Sequence, residues 1–134
     1  MLSRENRIGS NKEYFRLAFD GVRKGTSRLR VYIGHMNSST DLPVKVGFVV
    51  SKKVGNSPVR HRVSRQLRHI CRSLIDDSLF FSNEVVVIVA YSQAAHQKSH
   101  VLEKDIRNAL EKIRTHQEKK AHSLMCQPSE EEKR

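Results

Sequence analysis

Residues 84–91 read Glu-Val-Val-Val-Ile-Val-Ala-Tyr, which from Val85 onward is the longest apolar run of the chain, and they restrict the fold more than any other segment. The run from Val85 to Tyr91 is far short of the roughly 20 residues that cross a bilayer, so no membrane-spanning segment is expected. Its Val/Ile content without polar alternation predicts a strand covered on both faces and interior to a sheet rather than at its edge. A chain of 134 residues has room for one such core and one domain.

Around this strand the pattern predicts helices and strands in alternation. From Asn11, a capping residue, Tyr14, Leu17 and Ala18 recur at helical spacing with Phe15 and Phe19 alongside, and Gly21 supplies a stop. Residues 28–33 alternate, with Arg28, Arg30 and Tyr32 on one face and Leu29, Val31 and Ile33 on the other. After a polar, turn-forming stretch from His35 to Pro43, a second strand over Lys45–Ser51 places Val46, Phe48 and Val50 on one side and Lys45 and Gly47 on the other. Asn56 or Ser57 then caps a helix whose first turn accepts Pro58, because the missing N–H would be unpaired there anyway. On its wheel Val63, Leu67, Ile70, Cys71 and Leu74 share one arc, and Arg62, Arg65, His69 and Arg72 lie opposite. Arg60, Ser64 and Arg68 form a flanking line between those faces. Ser99 opens a last helix carrying Leu102, Ile106, Leu110 and Ile113. The domain is expected over 1–115, with 1–10 an extended arm and 116–134 a disordered, charged tail.

The charge is concentrated. Residues 1–80 hold 16 Lys+Arg against 6 Asp+Glu, whereas 81–134 hold 9 against 8. Between Asp41 and Asp76 there is no carboxylate, yet Lys45, Lys52, Lys53, Arg60, Arg62, Arg65, Arg68 and Arg72 lie there. Cations of one sign on a single rod repel one another unless a polyanion is present, which points to nucleic acid. The Lys52-Lys53 turn with Gly55 before a helix N-terminus makes an anion site, and each arginine offers bidentate contacts to phosphate. On the sheet side Tyr32, between Arg28 and Arg30, combines with Tyr14, Phe15 or Phe19 as stacking surface beside charge, which suits a single strand.

Catalytic constellations are absent from the pattern. His96 and His100 straddle a loop-to-helix boundary, no Cys or acid completes a zinc set, and no phosphate-cradling Gly-x-x-x-x-Gly-Lys occurs. Asp76-Asp77 reads as a helix end and a turn. Cys71 and Cys126 form no disulfide framework, and Arg4, Glu5 and Arg7 interrupt the place of a secretory signal, so a reducing, cytoplasmic setting is expected. An RNA-binding module without a role in cleavage and a stand-alone nuclease remain as competing classes.

The run Val46-Gly47-Phe48-Val49-Val50-Ser51-Lys52-Lys53-Val54-Gly55-Asn56-Ser57-Pro58-Val59-Arg60-His61-Arg62-Val63-Ser64-Arg65-Gln66-Leu67-Arg68 closely resembles the signature of the bacterial ribonuclease P protein component. That pattern runs strand, Ser-Lys-Lys-x-Gly-Asn, then an Arg-Asn-Arg helix, and the element order across about residues 5–115 agrees. Here His61 replaces the usual Asn, Ser64 stands where Lys is usual, Pro58 enters the first turn, and Ala18 sits where a second aromatic is common. The resemblance implies an α+β fold, a two-layer α/β sandwich of the ribosomal protein S5 domain 2 type. Its expected order is α-β-β-β-α-β-α with a left-handed β-α-β crossover.

It also implies a protein subunit of a ribonucleoprotein whose RNA removes the 5′ leader of precursor tRNA with Mg²⁺ bound mainly by the RNA. No catalytic residue, protein-held metal or organic cofactor is expected in this chain. Contact with the RNA subunit is expected from Lys52, Lys53, Asn56, Arg60, Arg62, Arg65, Arg68 and Arg72. Contact with the leader is expected from Tyr14, Phe15, Phe19, Arg28, Arg30, Tyr32, Lys45, His61 and Ser64. The partners implied are ribonuclease P RNA and precursor tRNA, with no membrane and no DNA.

Overall fold

The structure, a computed structural model, describes residues 4–8, 12–37 and 40–126. In chain order it contains α1 (Lys12–Phe19), β1 (Val22–Gly25), β2 (Leu29–His35), β3 (Lys45–Val50), α2 (Ser57–Asp76), β4 (Glu84–Ala90) and α3 (Ser99–Cys126). Short 3-10 turns occur at Arg4–Asn6, Lys52–Val54 and Ser92–Ala94. This is the expected α+β order. The strands lie in the order β1-β2-β4-β3, with β1–β2 and β2–β4 antiparallel and β3–β4 parallel. Parallel neighbours need a crossing connection, and α2 supplies it. The Val/Ile run of β4 is therefore hydrogen-bonded along both edges, and every residue of it except Val89 is buried.

One face of the sheet carries Leu29, Val31 and Ile33 of β2, Val46 of β3, and Val86 and Ile88 of β4 against α2 and α3. The predicted arc Val63, Leu67, Ile70, Cys71 and Leu74 is the buried arc of α2. Each large aliphatic side chain so buried contributes about 1.5–3 kcal/mol, which makes this face the main source of stability. On the other face α1 crosses β2 and β4, and Ala18 packs with Ile8, Val85 and Val87. The approach is close because Gly34 has no side chain: a Cβ there would lie 2.0 Å from the Leu17 carbonyl oxygen. Ala18 is fully buried beneath its own helix, so this position could not hold an exposed stacking ring.

Several features depart from the sequence-based expectation. β1 has no readable pattern, since only Val22 of its four residues is partly buried; pairing with β2 orders it. The arm is not free: Asn6 Nδ2 donates to the Val44 carbonyl at 2.9 Å and the Ile8 N–H to the Val46 carbonyl at 3.2 Å. Arg7 thereby forms a parallel bridge with Val46, and Ile8 is buried. α3 continues to Cys126, past the boundary expected at 115, and Ile113 is the last core residue among its described side chains. The cap expected at Asn11, the rest of the arm and the tail over 127–134 lie outside the described residues.

Among the described residues two carboxylates, Glu84 and Asp105, are buried, and each has an arginine partner. Arg114 donates to both oxygens of Glu84 and to the Leu79 carbonyl, while its guanidinium lies 4.1 Å from the centroid of the Phe81 ring. Among the described residues no helix is long and apolar enough to cross a membrane.

Candidate nucleic-acid interface

The α1 face of the sheet is built from alternate residues of each strand. Register places Arg23, Tyr32, Val87 and Gly47 in one row across all four strands, and Arg30, Val89 and Val49 in the next. α1 covers the Gly34 end and leaves the row containing Arg30 as an open shelf, on which Arg30, Val49 and Val89 are half-buried. Phe15 and Phe19, one helical turn apart, stack with centroids 6.3 Å apart, and Phe19 meets Tyr32 edge-on at 4.8 Å. Phe19 is exposed, so three aromatic rings form a continuous wall and floor open to solvent.

Not every residue expected on this shelf is there. Arg28 precedes β2 and turns to the α3 side, where its Nε and Nη2 donate to the Asp105 carboxylate at 2.6 and 3.0 Å. Those hydrogen bonds, and then the Asp105 charge, raise the Arg28 pKa above the usual guanidinium value. Strand alternation does not bind a residue lying just outside the strand, so Arg28 is a structural cation. Tyr14 lies on the other flank of α1, in a groove with Leu17, Met36 and Leu42, because one residue along a helix turns about 100° away from Phe15. Lys45 is on the shelf face but at the Val85 end, and its Nζ donates to the Glu5 carbonyl at 2.6 Å, tying down the arm. Arg23 was missed because β1 could not be read; register alone puts it beside Tyr32.

The cationic surface belongs to α2 and the turn before it. Asn56 is the N-cap, its Oδ1 accepting from the Val59 N–H at 3.3 Å, and Pro58 fits the first turn as expected. Gly55 adopts φ 158° and ψ −168°, a conformation that side chains disfavour, and this lets the Lys52-Lys53 turn enter the helix. Arg60 supports that junction: its Nε donates to the Gly55 carbonyl at 3.2 Å and its Nη2 to Ser57 Oγ at 3.1 Å. Lys52, Lys53, His61, Arg62, Arg65 and Arg72 are exposed, and Arg72 also pairs with Asp76 one turn on. The α2 surface around Arg62 and Arg65 therefore presents charge to solvent without an acidic neighbour in its own sequence.

The two surfaces meet at the edge strand β3. A groove of about 270 Å³ is lined by Arg7 of the arm, Phe15 of α1, Gly47 and Phe48 of β3, and Ser64 and Arg68 of α2. Arg68 and Ser64 are thus on the shelf side of α2, whereas Arg62 and Arg65 point outward. Among the described residues no group of three or more His, Cys, Asp or Glu side chains could hold a metal ion. Cys71 lies in the core, and burial pushes its thiol pKa well up.

Comparison with known proteins bears on this geometry. The family model for ribonuclease P matches residues 2–114. The ribonuclease P protein component of Corynebacterium glutamicum (strain R) is 36% identical over 125 residues, covering 84% of this chain and 94% of the relative. That of Mycolicibacterium vanbaalenii is 34% identical over 114 residues, covering 85% and 94%. Among solved structures, the ribonuclease P protein of Staphylococcus aureus superposes with a TM-score of 0.65 at 22% identity, covering 79% of this chain and 93% of that one. The Thermotoga maritima protein gives 0.62 at 15% identity, covering 76% and 92%. The last two comparisons show a shared fold, and the family match with the sequence relatives shows descent. The chain belongs to the bacterial ribonuclease P protein component family, the protein subunit of the endoribonuclease (EC 3.1.26.5) that processes the 5′ end of precursor tRNA.

Proposed function

We propose that the shelf beside α1 holds the single-stranded 5′ leader of precursor tRNA, while the outward face of α2 and the Lys52-Lys53 turn grip the ribonuclease P RNA in the cytoplasm. The observation that carries this is the groove on β3, in which Phe15 of the aromatic wall and Ser64 and Arg68 of the basic helix line one space. A strand stacked on Phe19 and Tyr32 can run past Phe15 onto the flank of α2 with its phosphates facing cations. The outward arginines remain available to a second polynucleotide. Stacking on aromatic faces is indifferent to base identity, and phosphate contacts position rather than read sequence, so this surface suits leaders of varied sequence.

Hydrolysis in this reading belongs to the RNA subunit and the Mg²⁺ it holds. Among the described residues the interface presents mainly guanidinium and ammonium groups and no cluster of carboxylates, a donor set that does not fit Mg²⁺. Two effects follow from the protein's side chains. Leader contact raises affinity for precursor over leaderless product, and fixed cations beside the RNA lower the Mg²⁺ concentration needed to screen it.

The test is Tyr32→Ala in the holoenzyme reconstituted with ribonuclease P RNA, measured by equilibrium binding of precursor and of mature tRNA. Loss of one stacked base costs about 1–3 kcal/mol, so precursor affinity is expected to fall roughly 5- to 150-fold with mature tRNA unaffected. Equal losses for both ligands would sink the leader assignment.

A further inference from the structure

We propose, on the reading that the outward face of α2 grips ribonuclease P RNA, that the groove between β1 and α3 holds the sugar–phosphate backbone of a helical segment of the same RNA. The groove has a volume of about 570 Å³, about twice that on β3, and is lined by Lys24, Asn108, Glu111, Lys112, Thr115 and His116. Its α3 side follows from helical spacing, since positions 108, 111, 112 and 115 recur every three or four residues and share one face. Its other side follows from register: Lys24 pairs with Val31, a residue of the core beneath α2 and α3, and so stands on the helical face of the sheet. All six residues are exposed. Among the described residues neither Lys24 nor Lys112 has an ion pair or a side-chain hydrogen bond. Two ammonium groups lining one groove repel each other, and a polyanion laid along it turns that repulsion into attraction.

The lining selects the kind of polyanion. None of these six side chains carries an aromatic face on which an unpaired base would stack, as sites for single strands do. A paired A-form helix turns its bases inward and offers phosphates and 2′-hydroxyls instead. Lys24 and Lys112 match the phosphates. Asn108 and Glu111 match the 2′-hydroxyl, which both donates and accepts. Thr115 Oγ1 donates to the Glu111 carbonyl at 2.9 Å and so presents an acceptor to the groove. Placement selects which RNA. β1 is the sheet edge opposite β3, and Lys24 stands on the face covered by α2 and α3, whereas the aromatic shelf lies on the α1 face. The groove thus shares its layer with Arg62 and Arg65, and an RNA body docked on α2 extends along that layer to α3.

The full-length chain is titrated with ribonuclease P RNA over a range of salt concentrations, and the assembled holoenzyme with precursor and mature tRNA. Lys24→Ala and Lys112→Ala are each expected to weaken assembly about fivefold, the loss of one exposed phosphate contact. Each should make the slope of log affinity against log salt shallower by about 0.7–0.9, the value for one phosphate. Asn108→Ala is expected to cost about threefold with the slope unchanged, because it removes a ribose contact and no charge. Unchanged assembly in both lysine variants overturns the proposal, as it would if the groove took an acidic protein instead. A loss with an unaltered salt slope in the lysine variants also overturns it, since no phosphate contact was then removed. So does a loss confined to tRNA binding by the assembled holoenzyme, which would assign the groove to tRNA. Arg65→Ala in the same titration separates the two levels: if it weakens assembly and the lysine variants do not, the groove contact fails while the reading of α2 stands. If the lysine variants alone weaken assembly, the groove contact stands and the reading of α2 fails.

Discussion

Removing the Arg114 side chain isolates the cost of an unpaired buried charge at the end of β4. Glu84 is 0% exposed; its carboxylate takes one oxygen–hydrogen bond from the Phe81 N–H at 2.8 Å and one to each oxygen from Arg114. His35 Nε2, on an exposed ring, stands 3.7 Å away. Arg114→Ala leaves that carboxylate out of water with one backbone donor, which costs about 3–5 kcal/mol. Against a total of about 5–15 kcal/mol for a domain of this kind, roughly a fifth or more of the stability is lost, or about 10–20 °C in Tm. Urea unfolding followed by far-ultraviolet circular dichroism measures it. The control is Glu84→Leu with Arg114→Met, which removes both charges while retaining volume and is expected within about 1 kcal/mol of the starting protein. A loss below about 1 kcal/mol in the single variant, or a double variant as unstable as the single, would refute the argument that unpaired charge is the cause.

Three further outcomes are expected. Gly34→Ala drives a Cβ into the Leu17 carbonyl, a backbone atom that cannot swing aside, so α1 must lift; a loss of about 1–3 kcal/mol in urea together with weaker precursor binding is expected, and a neutral variant would count against the close contact. Arg65→Ala removes an outward cation from α2, and the Mg²⁺ needed for half-maximal cleavage by the holoenzyme should rise; an unchanged requirement contradicts the screening role. Burial raises the Cys71 thiol pKa, so the native state keeps a proton that the unfolded chain surrenders. Its contribution is fully present below the ordinary thiol value of about 8.5 and declines above it by up to about 1.4 kcal/mol per pH unit. Unfolding free energies between pH 8 and 10 should therefore fall more steeply than in Cys71→Ala, and parallel curves would show that Cys71 is not the group responsible.

How far the sequence reaches is visible in particular residues. Wherever a segment's own periodicity settles its environment, the reading held: the Val/Ile run became the doubly paired β4, and the apolar arc of α2 became its buried arc. A cap at Asn56 or Ser57 and the first-turn Pro58 were legible for the same reason, because a helix start depends on its own few residues; the structure puts the cap at Asn56. The signature from Val46 to Arg68 carried the family, and the element order followed from it.

What remained hidden depends on partners distant in the chain. β1 exists because β2 offers it an edge, and nothing in Val22–Gly25 announces that edge. Arg28 looked like part of a basic face until Asp105, on the last helix, captured it. Tyr14 and Phe15 are neighbours in sequence, yet the seating of α1 on Gly34 sends them to opposite flanks. Composition by itself determined that this chain carries a one-sign basic helix and a small β-centred core, since charge spacing and apolar periodicity are local properties. Only the tertiary structure decided that arm, aromatic wall and basic helix share one groove, because that proximity comes from a parallel β3–β4 pairing that leaves β3 at the edge, where three separate segments converge.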